Sequence, residues 1–356
     1  MAEKDAPAAV WSFAGEPAVE MDAGADPFVQ VTSATRSGNT VVVGDARANR
    51  VSIFSADGKL VRTIGRAGQG PGEFQYVGWV GMTADSILAW DPLLGRLSVF
   101  SADGQLRREA TVSLAGFLPS IHGRFADGSM LVSVPPLTGK APVARGRPWR
   151  DTVMYVRVAA SGQVLDTVGR FPGMEQYESP SPDKRTFRTM SAPFGRWTYA
   201  TVSGNRFFVA TGDAYRVDGY TPDGRPDLVV QRAAAELPVT REEREAYTRL
   251  VANAAGARGA EAARELETAP FPRAIPPTGA VLSDSEGRLW VQDARRTADK
   301  ARGSRWSVFD AGGKWIARAE GPPRFTVHQI GPDWVLGQLY DEDGVGHIRI
   351  QRLRRR

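Results

Sequence analysis

Six short apolar stretches recur along this chain at nearly the same position of a repeating unit. Their last residues lie 46, 43, 77, 82 and 45 positions apart, so three intervals share a period of roughly 45 and two are lengthened by insertions. One buried strand in each unit of this length is typical of the four-stranded blades of a β-propeller. The six stretches are residues 40–45, 86–91, 129–134, 206–211, 288–293 and 333–338.

The two best-preserved units extend the repeat beyond the buried strand. Residues 51–60 (VSIFSADGKL) match residues 97–106 (LSVFSADGQL) at an offset of 46. Each segment reads as an apolar strand that runs into an Asp-Gly turn, in which Gly supplies the positive φ that a hairpin needs. Turn residues also precede each of the six stretches. The chain is therefore predicted to be an all-β, six-bladed β-propeller with four-stranded blades.

The sixth unit lacks a fourth strand, because the chain ends soon after a third strand at 347–353. Residues 16–22 precede the first unit just as residues 60–65 precede the second. We therefore expect the N-terminal strand to close the ring as the outer strand of blade six, which removes a free sheet edge. Residues 1–356 would then form a single propeller, with one helical insertion at about 233–277 between blades four and five.

Two junctions carry a resemblance to a known group. Residues 65–74 (GRAGQGPGEF) join the first two units, and Gly44 and Asp45 precede Asn49 and Arg50 where the second strand meets the third. Both junctions resemble those of the bacterial six-bladed propellers related to the NHL repeat, although the connector is shortened elsewhere. The resemblance covers most of the chain and implies the architecture. It also implies a periplasmic or extracellular location, because members are often exported, but no assigned chemistry.

The sequence predicts no membrane insertion and shows no leader. No run approaches the roughly 18 to 20 apolar residues of a membrane helix, and residues 1–9 are too polar for a signal peptide. The chain has no cysteine, which excludes disulfides, thiolate metal sites and a cysteine nucleophile.

The long insertions all fall on one face of the predicted propeller. In an up-and-down blade, the second-to-third and fourth-to-first connections emerge on the same face. Residues 135–151 and 294–305 interrupt second-to-third connections, and residues 171–197 and 233–277 extend fourth-to-first connections. Because binding and catalysis concentrate on long loops carried by a rigid scaffold, we expect any functional site on this face, near the central axis.

The same insertions are rich in arginine and aromatic residues. Arginine beside aromatic rings can hold carboxylates, phosphates or aromatic anions, so an anionic small molecule or a protein partner is predicted. Alternatively, because only 6 of the 45 basic residues are lysine, arginine is favoured throughout the chain and these side chains are ordinary surface groups. The candidate ligand-binding residues are Arg145, Arg147, Trp149, Arg150, Arg185, Arg188, Trp197, Arg295, Arg296 and Arg302.

The insertion at 233–277 is the one segment with helical character. Thr240 and Glu243 fit a capping box, and apolar residues from Ala246 to Ala255 follow at helical spacing. This helical hairpin could be a lid over the axis, a docking surface for a partner, or a packed decoration that covers a blade edge.

The residues needed for catalysis are sparse. His122 and His328 fall on the first strands of blades three and six but at different depths, and His347 falls on an outer strand. A three-histidine zinc site is therefore not expected, and no G-x-S-x-G nucleophile elbow occurs.

Three aspartates leave an alternative open. Asp45, Asp91 and Asp293 share one register at the end of the second strand. A ring of carboxylates there could hold calcium, as in sugar-lactonase propellers, or each could accept N–H groups of the following turn. The main prediction is a non-catalytic binding propeller without a cofactor. Its alternative is a metal-dependent hydrolase or lyase of the lactonase type. The net charge of +5 comes with no nucleic-acid recognition motif, so nucleic acid is not an expected partner.

Overall fold

The computed structural model describes residues 7–24, 26–137, 147–180, 185–341 and 344–355, the side chain of Lys300 excepted. Within these ranges, the strands form six sheets of four to six strands and one sheet of two. In each larger sheet, strands that follow one another in sequence lie side by side and antiparallel. The chain is thus all-β apart from a few short helices.

The six larger sheets are numbered in chain order. Sheet 1 contains Val31–Ser37, Thr40–Asp45, Arg50–Ser55 and Leu60–Ile64. Sheet 2 contains Trp79–Met82, Ser86–Asp91, Arg96–Ser101 and Leu106–Thr111. Sheet 3 contains Ser120–Arg124, Met130–Val134, Trp149–Val158, Val164–Pro180 and Phe187–Ser191. Sheet 4 contains Tyr199–Ser203, Arg206–Ala210, Arg216–Tyr220 and Pro226–Gln231. Sheet 5 contains Thr278–Ser283, Leu289–Asp293, Ser304–Phe309, Trp315–Gly321, Val10–Ser12 and Arg354–Arg355. Sheet 6 contains Phe325–Ile330, Trp334–Tyr340, Gly346–Arg352 and Pro17–Glu20.

The second strand of each sheet is covered on both faces. Ser86–Asp91 and Met130–Val134 are buried at every position. This double burial explains why these strands read as continuous apolar stretches in the sequence instead of alternating with polar residues.

Six apolar clusters within the described residues fill the spaces between neighbouring sheets. Five of them join consecutive sheets. The remaining cluster joins sheet 6 to sheet 1, where Leu336 and Ile348 pack with Val41 and Phe54. Each of the six sheets therefore packs against two neighbours.

The N-terminal segment belongs to two sheets. Pro17–Glu20 pairs antiparallel with Gly346–Arg352, the third strand of sheet 6. Val10–Ser12 lies parallel to Trp315–Gly321 of sheet 5, a pairing that was not predicted from the sequence. A parallel strand added at an edge comes with no hairpin turn, so the sequence carries no local signal for it.

Sheet 3 is larger than the predicted four-stranded blade. Its fourth strand continues as Val164–Pro180 and is followed by a fifth strand, Phe187–Ser191. The segment at 171–197, interpreted from sequence as a long connection, is therefore partly a strand pair. Its first half alternates between buried and more exposed residues, as a strand does.

The insertion contains helix α1 (Arg241–Ala254), a 3₁₀ turn (Gly256–Arg258) and helix α2 (Gly259–Glu267). Its ends pair as the two-residue strands Leu237–Pro238 and Ala274–Ile275. No helix in the described part of the chain has both the length and the apolar character needed to cross a lipid bilayer.

The predicted capping box of α1 is only half formed. The Thr240 hydroxyl accepts a hydrogen bond from the Glu243 N–H at 3.3 Å. The Thr240 N–H, however, donates to Pro238, and Glu243 Oε1 accepts from the N–H of Thr297, at 2.6 Å. The buried Glu243 carboxylate thus ties α1 to the 3₁₀ helix Thr297–Arg302 of sheet 5.

Within sheet 6, His347 of the third strand binds Glu20 of the N-terminal strand in a pH-sensitive way. Its ring nitrogens lie 2.9 Å from Asp341 Oδ2 and 2.8 Å from Glu20 Oε1, and these bonds raise its pKa. Because its pKa is higher in the folded state, His347 stabilises the fold fully at pH values below its unfolded pKa of about 6.5. This contribution is lost as the pH rises through the folded pKa.

The other two histidines do not titrate in this range. Burial lowers the pKa of His122 and His328 to about 4, so both stay neutral above pH 6.

We therefore expect the wild type to lose more stability between pH 6 and pH 8.5 than His347→Gln does. The difference should be below about 1 kcal/mol because the ion pairs are partly exposed. Denaturant unfolding of both proteins at the two pH values measures it. If the free energy of unfolding changed by the same amount in both proteins between the two pH values, the proposed role of the His347 ion pairs would be contradicted.

Candidate ligand-binding cleft

A cleft of about 430 Å³ opens among the long connections of sheets 3, 4 and 5. Residues 212–215, which join the second and third strands of sheet 4, form one wall. The two ends of the helical insertion form another wall with Pro272 and the neighbouring residues. The lining is completed by Glu175, in the long fourth strand of sheet 3, and by Phe194 and Arg196, which follow its fifth strand. All these connections belong to the face that the insertions elaborate.

Arg196 binds two carboxylates within the cleft. Its Nη2 lies 2.6 Å from Glu175 Oε1, and its Nη1 lies 2.6 Å from Asp213 Oδ1. The bonds with Glu175 raise the pKa of Arg196. Burial alone would raise the pKa of Glu175, but the hydrogen bonds from Arg196 lower it. Arg150 Nη1 adds a contact with Asp213 Oδ2 at 3.3 Å. These four groups are therefore held charged and paired.

A second network lies around Asp293. Its Oδ1 accepts hydrogen bonds from the Tyr215 hydroxyl at 2.6 Å, Arg232 Nη2 at 2.8 Å and the Ser307 hydroxyl at 3.0 Å. The Arg232 guanidinium lies 3.8 Å from the centre of the Tyr215 ring and 4.7 Å from that of Trp315. Burial and the nearby Asp293 carboxylate raise the pKa of Tyr215, so this phenol stays protonated.

The helical insertion is anchored beside the cleft by aromatic contacts and an ion pair. The Phe194 ring centre lies 4.5 Å from that of Tyr247 in α1 and 6.2 Å from that of Phe271. Arg188, in the fifth strand of sheet 3, pairs with Glu265 of α2. Phe194 thus lines the cleft and supports the helices, and it holds a positive φ of 49°.

Several candidate arginines are already engaged within the protein. Arg150, Arg188 and Arg296 have carboxylate partners, the last at 3.9 Å from Glu243. Arg295 donates to the carbonyl of Gly303. The positive charges of Arg150, Arg188 and Arg296 are therefore partly neutralised, an effect that a count of arginines in the sequence does not reveal.

The remaining candidates are more open. Arg147 and Arg302 are exposed, and Trp197 is 45% exposed. Arg185 is exposed and has a partner. Trp149 is half-buried, and its Nε1 has no hydrogen-bond partner among the described residues. Arg145 lies outside the described residues.

Two of the three aspartates accept hydrogen bonds from backbone N–H groups, including those of the turn that follows each of them. The Asp45 carboxylate accepts the N–H groups of Val29 and Gln30 at 2.8 and 2.9 Å and that of Ala48, in the following turn, at 3.3 Å. The Asp91 carboxylate accepts four N–H groups, with the closest, from Gln75, at 2.7 Å. Both residues are fully buried. Within the described ranges, no three His, Cys, Asp or Glu side chains are grouped as metal ligands would be.

Most of the cleft was not predicted from the sequence. Glu175, Asp213, Tyr215 and Arg232 were not among the candidate residues, although Asp293 was singled out as a possible metal ligand. Tyr215 and Asp293 are 78 residues apart, so no local pattern connects them. Two signals were available: Asp213 and Tyr215 lie in a second-to-third connection of the elaborated face, and Glu175 lies within the insertion at 171–197.

Comparisons with known proteins agree with this architecture. Residues 27–118 match the DUF5128 family model, described as a 6-bladed beta-propeller. A crystal structure of a DUF4221 family member from Bacteroides vulgatus is similar over 100% of this chain and 98% of its own, with 10% identity and a TM-score of 0.56. A Bacteroides fragilis protein described as exported is similar over 98% of this chain and 99% of its own, with 12% identity and a TM-score of 0.52.

No curated protein matches the sequence. At these identities, the similar structures bear on the fold alone. Together with the family model and the sheet order, they confirm that this chain is a β-propeller of the kind that its resemblance to NHL-related propellers implied.

Proposed function

We propose that the six larger sheets are the blades of one closed six-bladed ring, with the helical insertion between blades four and five. The packing of sheet 6 against sheet 1 supports closure. The pairing of Pro17–Glu20 with the third strand of sheet 6 supports a role for the N-terminus in it.

On this scaffold, the protein acts as a non-catalytic binding propeller that takes an anionic small molecule or a protein partner on its elaborated face. The observation that carries this proposal is the exposure of Arg147 and Arg302 in two insertions of this face, where their positive charges would attract an anionic group. On the same face, the long connections also enclose the cleft of about 430 Å³, a volume within the range of ligand pockets.

A location outside the cytoplasm fits this role. It is supported by the resemblance to a group whose members are often exported and by the similar Bacteroides fragilis protein described as exported.

The double substitution Arg147→Glu with Arg302→Glu tests the proposal. It should weaken binding of citrate and of an acidic peptide at least about tenfold, because it replaces two attractive charges with repulsive ones. Titration calorimetry at low salt measures the affinity. Lys59→Glu with Arg225→Glu is the matched control, since it makes the same charge change in tight turns predicted on the opposite face. Equal losses in both variants, or no binding of either probe to the wild type, would contradict the proposal.

A further inference from the structure

We propose that the cleft binds a neutral, polyhydroxylated ligand, namely a carbohydrate of a few rings. This inference goes beyond the proposed function. It concerns the paired charges inside the cleft, whereas the anionic ligand was assigned to exposed cations in other insertions of the face.

Every ionised group described at the cleft has a partner of opposite charge. Asp213 pairs with Arg150 and Arg196, Glu175 with Arg196, and Asp293 with Arg232. Glu236, which also lines the cleft, lies 3.8 Å from Arg273. Three of these carboxylates and two of these guanidiniums line the cleft itself. When their partners Arg150, Arg273 and Asp293 are included, four carboxylates face four guanidiniums and the formal charges cancel. A site balanced in this way offers no net attraction to an anion or to a cation.

The paired groups still have unused hydrogen-bonding capacity. A guanidinium has five N–H donors, and Arg196 gives three of its nitrogens to Glu175 and Asp213. Two of its N–H groups therefore remain, and 41% of the side chain is exposed. The Asp213 side chain is 46% exposed, and its carboxylate accepts hydrogen bonds from Arg150, Arg196 and Thr211, which leaves room for a further donor.

A hydroxyl group matches this arrangement because it donates and accepts at the same atom. It can donate to Asp213 while it accepts from Arg196. A carboxylate ligand would be repelled by Asp213, and an ammonium ligand could accept nothing from Arg196. Neighbouring hydroxyls on one ring would extend the same pattern along the Arg196 and Asp213 pair.

The walls of the cleft suit the apolar side of such a ligand. The rings of Phe194, Pro272 and Pro276 line the cleft, together with small apolar side chains such as that of Ala234. The C–H faces of a sugar ring can pack against these surfaces while the hydroxyls reach the charged pairs. Most ligand pockets combine an apolar lining with a few polar groups in this way.

Oligosaccharides matched in length test the inference on the full chain. Neutral hexose, uronic-acid and amino-sugar series are titrated by calorimetry at low and at physiological salt. The neutral series should bind most tightly, with an affinity that changes less than about twofold with salt because no net charge attracts it. Tighter binding of the charged series, or no binding of any series, would overturn the inference.

The variant Asp213→Asn shows whether binding takes place in the cleft. It should weaken binding of the neutral probe about tenfold, because one hydrogen bond to a charged acceptor is lost. It should also strengthen binding of the uronic-acid probe, because the positive charges of Arg150 and Arg196 would then exceed the negative charge beside them. Asp166→Asn, an exposed position in sheet 3, is the control and should change neither affinity. An unchanged neutral affinity in Asp213→Asn would overturn the assignment of the site.

Glu236→Gln offers a second test that does not disturb the buried network, since the Glu236 side chain is 63% exposed. It should strengthen uronic-acid binding at low salt, and no gain would overturn the charge argument. The double substitution of Arg147 and Arg302 should leave oligosaccharide binding unchanged. Failure of the anionic probes and failure of the carbohydrate inference can therefore be told apart.

Discussion

Replacement of Phe13 by alanine is expected to lower the free energy of unfolding by about 3 to 5 kcal/mol. Phe13 is 1% exposed, and its ring lies 6.0 Å from that of Phe325 in sheet 6. Its N–H donates to the carbonyl of Glu320 in sheet 5, at 2.9 Å. Phe13 therefore fills the core between sheets 5 and 6, although it belongs to no strand of either sheet. The small side chain would leave a cavity that neighbours held in sheets cannot close.

Chemical denaturation followed by tryptophan fluorescence measures this effect. Val10→Ala is the matched control, because Val10 lies in the adjacent strand but is 46% exposed. It should change stability by no more than about 0.5 kcal/mol. If both variants unfolded at the wild-type denaturant concentration, the N-terminal segment would not be part of the folded core in solution.

Replacement of Gly58 by alanine is expected to cost about 3 kcal/mol or more, through two effects that act together. Gly58 has φ of 86°, which disfavours any L residue by about 1 to 2 kcal/mol. An added Cβ would also lie 2.2 Å from the carbonyl oxygen of Glu20, so the N-terminal strand would have to move. The hydrogen bond from the Asp22 N–H to the Gly58 carbonyl, at 2.9 Å, would be strained as well.

Gly38→Ala separates the two effects. Gly38 has φ of 56° but nothing within 4 Å of an added Cβ, so it should cost only about 1 to 2 kcal/mol. Thermal unfolding compares the variants, and hydrogen exchange at residues 17–22 shows whether that strand is released in Gly58→Ala. Equal costs for the two variants would mean that the close approach of Gly58 to the N-terminal strand does not matter.

The fold was largely predictable because its signals are local. Residues 86–91 and the Asp-Gly turn at 103 and 104 form a strand and a hairpin through contacts a few residues apart. Repetition of that pattern at a nearly constant period then indicates stacked blades. The added strand Val10–Ser12 escaped prediction because its partner is about 300 residues away and no turn joins them.

The candidate cleft was much less predictable. Long insertions pointed to the correct set of connections, and Arg150, Arg188 and Arg296 were noted for their charge. Their partners Asp213, Glu265 and Glu243 lie 63, 77 and 53 positions away in the sequence. Sequence patterns therefore suggested a basic surface where the structure shows paired charges.

Taken alone, the sequence determined the β-propeller fold, the strands of its repeating unit and the face that carries the long connections, since strand periodicity and turn chemistry depend on near neighbours. Only the tertiary structure decided which charges are paired, that Asp45 and Asp91 bind backbone N–H groups, and that Tyr215, Arg232 and Asp293 meet beside a cleft. These contacts join residues from different sheets or connections, and their energies depend on distances of a few ångströms that only the folded chain defines.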